Sequence, residues 1–337
     1  MTYFVVRYDF RCPDGPDGES PDGAAPGASR HERYRASLDQ VAWCEDAGFD
    51  SVVLSEHHGV DDGYLPSPVT MAAAFGARTT RIPIVVAALL ANLHEPLRLA
   101  EDIAVVDHVS GGRVGYVFGL GYRKAEYEMF AEPWKGRGEA LEATIRTLLA
   151  AWRGEPFEHE GRTVSVTPAP FSRPHPLLFY GGGSPVAARR AARLGLGFYP
   201  QSPDTSLAEV YRAECERLGV PPGLVMQPPP GPGCVFCTRD PDRFWEQQGE
   251  RLLYDASTYA EWQRGNESLV FDDSSSVEEL RAAGVYVAWT PEELIERCRS
   301  GEVQLVTAHP MCGGVDPEVG WESLRLIGDV VIPALRG

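Results

Sequence analysis

Ser55-Glu56-His57-His58 sets two imidazoles and a carboxylate directly after a short apolar run, Ser51–Leu54. Imidazole titrates near ~6.5, so a histidine there can move a proton or donate a hydrogen bond near neutrality. His57 is the candidate catalytic residue; the plainer use of such a histidine is to tie down a loop. Gly181-Gly182-Gly183-Ser184-Pro185 carries a different chemistry. Serine is a good N-cap and proline suits the first helical position. Glycines leading into a helix expose backbone N–H groups at the positive end of its dipole, which is an anion site most often filled by phosphate. Gly119-Leu120-Gly121-Tyr122-Arg123-Lys124 is a glycine turn that lacks the full dinucleotide fingerprint. Ala87-Ala88, within a run that ends at Asn92, provides the small residues that let a planar ring approach backbone, or simply pack a core. Cys234-Val235-Phe236-Cys237 has no second pair at zinc spacing, so it reads as two cysteines on a buried strand rather than a metal centre. His309-Pro310-Met311-Cys312-Gly313-Gly314 is either a ligand contact or a tight turn that needs its glycines.

The elements that must position these groups alternate. Strands are expected at Tyr3–Tyr8, Ser51–Leu54, Ile82–Leu90, Arg113–Phe118, Leu177–Tyr180, Gly197–Tyr199, Cys234–Thr238, Val285–Ala288 and Val303–Val306. Helices are expected at His31–Gly48, Pro68–Thr80, Pro96–Val109, Arg137–Trp152, Pro185–Leu194, within Pro203–Gly219, Pro241–Gln263, Pro291–Ser300 and near Trp321–Leu335. Apolar, β-branched strands separated by helices indicate a parallel sheet covered on both faces. About eight such units favour a (β/α)8 TIM barrel, in one domain spanning 1–337. In that architecture chemistry sits at the C-terminal strand ends, where the motifs above fall apart from the cysteine pair on its strand. Three stretches interrupt the count: a long flexible loop at 11–29, rich in proline and glycine, and insertions near 158–176 and 266–276.

Composition narrows the partners. The 337 residues carry 48 Asp+Glu against 31 Lys+Arg, a net charge of −17, which excludes the basic face that nucleic acid or anionic lipid requires. The longest apolar run, Ile82–Leu93, is short of the roughly 20 residues of a membrane span. The first residues lack a signal peptide's basic start, and seven scattered cysteines fit a reducing compartment. A cytoplasmic location is therefore expected.

The ordered motifs resemble those of the bacterial-luciferase-like flavin monooxygenases. They are Gly48-Phe49-Asp50-Ser51 leading to Glu56-His57-His58, Ala77-Arg78-Thr79-Thr80-Arg81-Ile82, Glu95 to Asp102, and Asp107 to Arg113. Gly119-Leu120-Gly121-Tyr122, Gly182-Gly183-Ser184 and Ala191 to Gly195 complete the series, which spans about Tyr3 to Tyr199. The resemblance implies reduced FMN, or the deazaflavin F420, held at the C-terminal face of a barrel. It implies that His57 assists chemistry at the flavin, that Ala87-Ala88 is a cis peptide beneath the ring, and that Gly182, Gly183 and Ser184 bind the phosphate. Gly119, Leu120 and Tyr122 belong to the same cofactor set. This chain departs from many relatives, having Glu95-Pro96 for His-Pro and Leu120 for an arginine; Arg123 or Lys124 are candidate replacements.

The leading expectation is a monooxygenase using reduced FMN and O2 through a C4a-(hydro)peroxyflavin to oxidise a small organic substrate. NAD(P)H is the ultimate electron donor, delivered in place or through a flavin reductase, and a homodimer is expected. Tyr8, Phe10, Tyr64 and Tyr122 are candidate pocket residues. The alternatives are F420-dependent hydride transfer without oxygen chemistry, and a non-catalytic flavin-binding paralogue.

Overall fold

Isoleucine, valine and alanine dominate Ile84–Leu89, and the backbone there is a strand flanked by helices that start at prolines, the second of which stops at a glycine. That grammar repeats along the chain. The computed structural model describes residues 2–15, 17–18, 27–202, 205–264 and 271–337. In chain order the elements begin with β1 (Tyr3–Tyr8), α1 (Arg30–Ala47), β2 (Ser51–Leu54), α2 (Pro68–Arg78), β3 (Ile84–Leu89), α3 (Pro96–Ser110) and β4 (Val114–Phe118). There follow α4 (Lys124–Met129), α5 (Arg137–Ala151), β5 (Phe157–His159), β6 (Arg162–Val164), β7 (Leu177–Gly182), α6 (Pro185–Leu194), β8 (Gly197–Pro200) and α7 (Ser206–Leu218). The last are β9 (Cys234–Cys237), α8 (Pro241–Trp262), α9 (Val277–Ala283), β10 (Tyr286–Trp289), α10 (Pro291–Ser300), β11 (Leu305–Ala308), α11 (Pro317–Leu326) and α12 (Ile332–Arg336).

The chain forms two compact units. One comprises Met1–Val53, Val60–Pro66 and Pro228–Gly337. Its strands run in the order β10-β9-β11-β1-β2. The β9–β10 and β1–β11 pairings are parallel, with Cys234 opposite Tyr286 and Val6 opposite Ala308. Phe236, Phe244, Trp245, Leu252, Leu280 and Val315 form its core. α1 shows why local chemistry sets an element's bounds. Ser29 and Glu32 make a reciprocal capping box at its start, and Gly48 takes a left-handed conformation at its end.

The second unit comprises Leu54–Gly59 and Ser67–Gln227, with parallel strands in the order β3-β4-β7-β8. Each of these strands is separated from the next by at least one helix, as right-handed β/α crossovers require. The expected insertion near 158–176 is the β5–β6 hairpin and a following loop with cis bonds before Pro168 and Pro174.

One expectation changes, and two helices are added. The strand expected to stop at Tyr180 runs on to Gly182, with Gly181 paired to Tyr199 and Gly182 to Pro200. Gly181 is therefore not part of a flexible lead-in. A Cβ there would lie 2.9 Å from Val117 Cγ1, so glycine serves close strand packing. Two helices, α4 and α9, lie in stretches for which the sequence pattern names no element. Residues 16 and 19–26 of the loop expected at 11–29, and residues 266–270 of the last insertion, lie outside the described residues. No helix among the described residues is long and apolar enough to cross a membrane.

Candidate functional site

The C-terminal ends of β3, β4 and β7 in the second unit, together with residues 54–59, gather the groups singled out above. His57 is nearly enclosed, at 6% exposure. Its Nδ1 lies 2.8 Å from Glu126 Oε1 and its Nε2 lies 2.9 Å from the Tyr122 hydroxyl. Glu126 also accepts from the His58 backbone N–H at 3.0 Å and from Arg123 Nη1 at 3.1 Å. Burial pushes the Glu126 carboxyl up, but the hydrogen bond and charge of His57 outweigh it and hold the group below the ordinary carboxylate range. An ionised Glu126 fixes the proton of His57 on Nδ1, leaving Nε2 to face Tyr122 as acceptor. In the charged form of His57, both nitrogens donate.

The neighbouring Glu56 does structural work. Its Oε1 accepts from His58 Nε2 at 2.8 Å and from His94 Nε2 at 2.9 Å, and its Oε2 accepts from the Leu90 N–H at 2.6 Å. Burial would raise its carboxyl, yet the hydrogen bonds and charges of His58 and His94 bring it down to about 2. Ser55 Oγ adds a bond to the Ala87 carbonyl at 3.0 Å. The residues after β2 thereby hold the Ala87 carbonyl and the Leu90 N–H, and the Ala87–Ala88 peptide is cis as the resemblance implied. Small side chains are needed here. A Cβ on Gly119 would stand 2.6 Å from Ala88 Cβ. The turn beyond it is held by the Tyr127 hydroxyl, which donates to the Leu120 carbonyl at 2.6 Å.

At the end of β7, Ser184 caps α6 and its Oγ accepts from the Ala187 N–H at 3.3 Å. Pro185 occupies the first turn. Gly182 takes a positive φ, and a Cβ there would meet Ala187 Cβ at 2.7 Å. Gly183 and Ser184 thus form the turn, whereas Gly182 ends the strand. The two candidate replacements for the missing arginine are engaged elsewhere. Arg123 Nη1 donates to the His58 carbonyl at 2.7 Å as well as to Glu126. Lys124 pairs on the surface with Glu128 at 2.7 Å. Glu95, in place of the usual histidine, caps α3 by accepting from the Arg98 N–H at 2.7 Å.

The sequence reading missed Glu126, and it assigned no role to His94. Glu126 sits on α4, whose single six-residue helix has no apolar period to announce it. Of the expected pocket aromatics, Tyr122 reaches His57. Tyr8, Phe10 and Tyr64 are buried within the first unit, where Phe10 stacks on Tyr34 and the Tyr64 hydroxyl meets that of Tyr259 at 2.6 Å.

A parallel β/α frame with a histidine dyad and small residues at the strand ends matches a known class. The family of luciferase-like monooxygenases matches residues 12–298, and the chain belongs to it. Among solved structures, one is similar at a TM-score of 0.70 and 19% identity, covering 99% of this chain and 98% of that one. It is the oxygenating constituent of 3,6-diketocamphane monooxygenase from Pseudomonas putida, a type II Baeyer-Villiger monooxygenase in complex with FMN. That likeness shows the fold, the TIM barrel of luciferase-like proteins. The FMNH2-dependent dimethylsulfone monooxygenase of Pseudomonas putida is 30% identical over 173 residues, 48% of this chain and 46% of that protein. The F420-dependent glucose-6-phosphate dehydrogenase of Microbacterium testaceum is 31% identical over 177 residues, 49% and 52% respectively. The chain spans about half the length of the curated relatives it matches.

Proposed function

We propose that the chain is a monooxygenase that takes reduced FMN and O2 and oxidises a small organic substrate. The observation that carries this reading is His57, held between Glu126 and Tyr122 beside a strand end stripped of side-chain bulk at Ala87, Ala88 and Gly119. The residues fit the group: Gly119 leaves room that a Cβ would fill, and α6 presents a capped N-terminus. Reduced FMN supplies two electrons and a site of attack on O2. Ala87, Ala88 and Gly119 accept the flat ring against backbone. Gly183 and Ser184 receive the phosphate on backbone N–H groups at the α6 N-terminus, where the dipole favours negative charge. His57 holds or moves a proton at Nε2, and Glu126 keeps its ring oriented through Nδ1. Electrons come from NAD(P)H, in place or through a separate reductase.

F420-dependent hydride transfer is the second reading, favoured by the dehydrogenase relative. F420 adds a carboxylate-bearing tail beyond the phosphate. A chain of net charge −17, whose Arg123 and Lys124 are already paired, offers that tail less than it offers FMN. Anaerobic titration with FMNH2 and, separately, with reduced F420, followed by admission of O2, tests the choice. Tight FMNH2 binding with substrate-dependent O2 consumption is the expected result. Selective F420 binding without O2 uptake would transfer the chain to the hydride branch.

A further inference from the structure

The first unit holds a second cluster of chemically capable side chains that the flavin reading does not use. Cys234 opens β9, and His309 and Cys312 follow β11. The parallel register places Ala308 opposite Val235, so the end of one strand delivers His309 beside the start of the other. The turn then returns Cys312, whose N–H donates to the His309 carbonyl at 3.0 Å. Gly313 and Gly314 take positive φ values, and Arg33 fastens the turn by donating to the Gly314 and Val315 carbonyls at 2.8 and 2.7 Å. One ligand atom from each of Cys234, His309 and Cys312 lies within 4.8 Å of the others, and all three residues are buried.

We propose that Cys234, His309 and Cys312 form a buried site for a divalent metal ion, with Zn2+ as its ligand. Two further observations point to an occupant. Asp9 Oδ2 lies 3.2 Å from His309 Nε2, which leaves the other ring nitrogen for the metal. A carboxylate on the far side of a ligating imidazole is the usual partner that orients it. In addition, a cavity of about 10 Å3 is lined by Cys234, Asp255 and His309, large enough for one water as a fourth donor. Two thiolates balance the charge of a divalent ion, and sulfur with imidazole nitrogen in a tetrahedral set selects zinc over magnesium or calcium. Cys237 is excluded from the site. Three residues further along the same strand, it faces the opposite side of the sheet. The C-x-x-C spacing was therefore the wrong signal, and the partners of Cys234 come from 75 and more positions away.

The test is a titration of the full chain, stripped with chelator under reducing conditions, with Co2+ alone and then Zn2+ alone. One equivalent of Co2+ should give a thiolate-to-cobalt charge-transfer band with the ligand-field bands of a tetrahedral site, and Zn2+ should bleach it. Cys237→Ser should behave as the parent. Cys234→Ser, Cys312→Ser and His309→Gln should each weaken the metal at least tenfold. Should these variants fail to fold, the parent alone decides: Zn2+ raises its Tm and chelator reverses the rise. Absence of the cobalt band, a band indifferent to Cys234→Ser and Cys312→Ser, or a Tm unmoved by Zn2+ would overturn the site. So would two thiols lost to a Cys234–Cys312 disulfide in protein kept under reductant.

Discussion

Glu126 Oε1 stands 2.8 Å from His57 Nδ1, although the two residues are 69 positions apart in sequence. One end of the imidazole is thereby fixed, and the orientation of the other end follows. Replacing Glu126 with Gln keeps an acceptor for the Nδ1–H but removes the negative charge that stabilises a protonated imidazole. Turnover should fall about 10²-fold, within the range of a general acid–base contribution, while KM for substrate changes little. His57→Ala should cost at least as much. Steady-state O2 consumption checks both, and a variant that loses only affinity would remove Glu126 from the reaction.

Gly119 and Ala88 meet so closely that the pair can be tested as a unit. Gly119→Ala would put a methyl 2.6 Å from Ala88 Cβ, so one strand end must shift. Overpacking of this kind costs about 1–3 kcal/mol. FMNH2 affinity should weaken in parallel, and Ala88→Gly in the same chain should restore much of both losses. Urea unfolding and anaerobic binding of the four members of the cycle measure the coupling.

Glu56 gives stability two pH limits. Its folded carboxyl is depressed from 4.5 to about 2, so its contribution is present above 4.5 and is lost as pH falls toward 2. Burial lowers the pKa of His94, but its bond to Glu56 wins and raises it above the ordinary 6.5. That contribution is complete below 6.5 and is lost as pH rises through the folded value. Glu56→Gln should flatten both limbs relative to the parent. Unfolding free energies across pH read this directly, and identical pH curves for the two proteins would show that the carboxylate is not coupled to folding.

Much of this frame is legible in the residues. The apolar run of β3, the proline starts of α2, α3 and α6, and the glycine stops after α1 and α6 are local signals set by local sterics. The cap at Ser184 is equally local. What escapes is whatever depends on distant pairing. Nothing near Gly181 says that it pairs with Tyr199, so the last two residues of β7 read as part of the turn. Nothing near Glu126 says that His57 faces it. The Cys234 cluster is assembled by strand register alone.

Ser184 serves the helix and, in the proposed function, the ligand. Ser184→Ala removes the acceptor for the Ala187 N–H and should cost about 1 kcal/mol of stability. If the phosphate rests at the same turn, FMN binding should weaken more than riboflavin binding. Equal losses for the two ligands would place the phosphate elsewhere. Dissociation constants for both, measured on parent and variant, settle it.

Arg11, in the first unit, has no access to solvent. Its Nη1 lies 3.2 Å from Asp62 Oδ2, and its Nε lies 3.3 Å from Asp255 Oδ1 and 3.7 Å from Asp9 Oδ2. The rings of Trp262, Tyr259, Tyr64 and Tyr254 surround its guanidinium at 4.7 to 5.7 Å. Burial opposes the charge, yet Asp255 and its neighbours hold the guanidinium firmly protonated. Removing the cation leaves Asp9, Asp62 and Asp255 buried with less compensating charge. Arg11→Met should therefore destabilise the protein by about 3–5 kcal/mol, the usual cost of breaking a buried ion pair. Arg11→Lys should recover less than half, because one ammonium cannot span carboxylates that a planar fork reaches together. The loss should shrink as pH falls and the carboxyls take up protons, since neutral acids no longer repel. Urea unfolding of the parent and both variants at neutral and acid pH measures this, and a deficit that persists unchanged at low pH would assign the role of Arg11 to packing against the rings instead of charge.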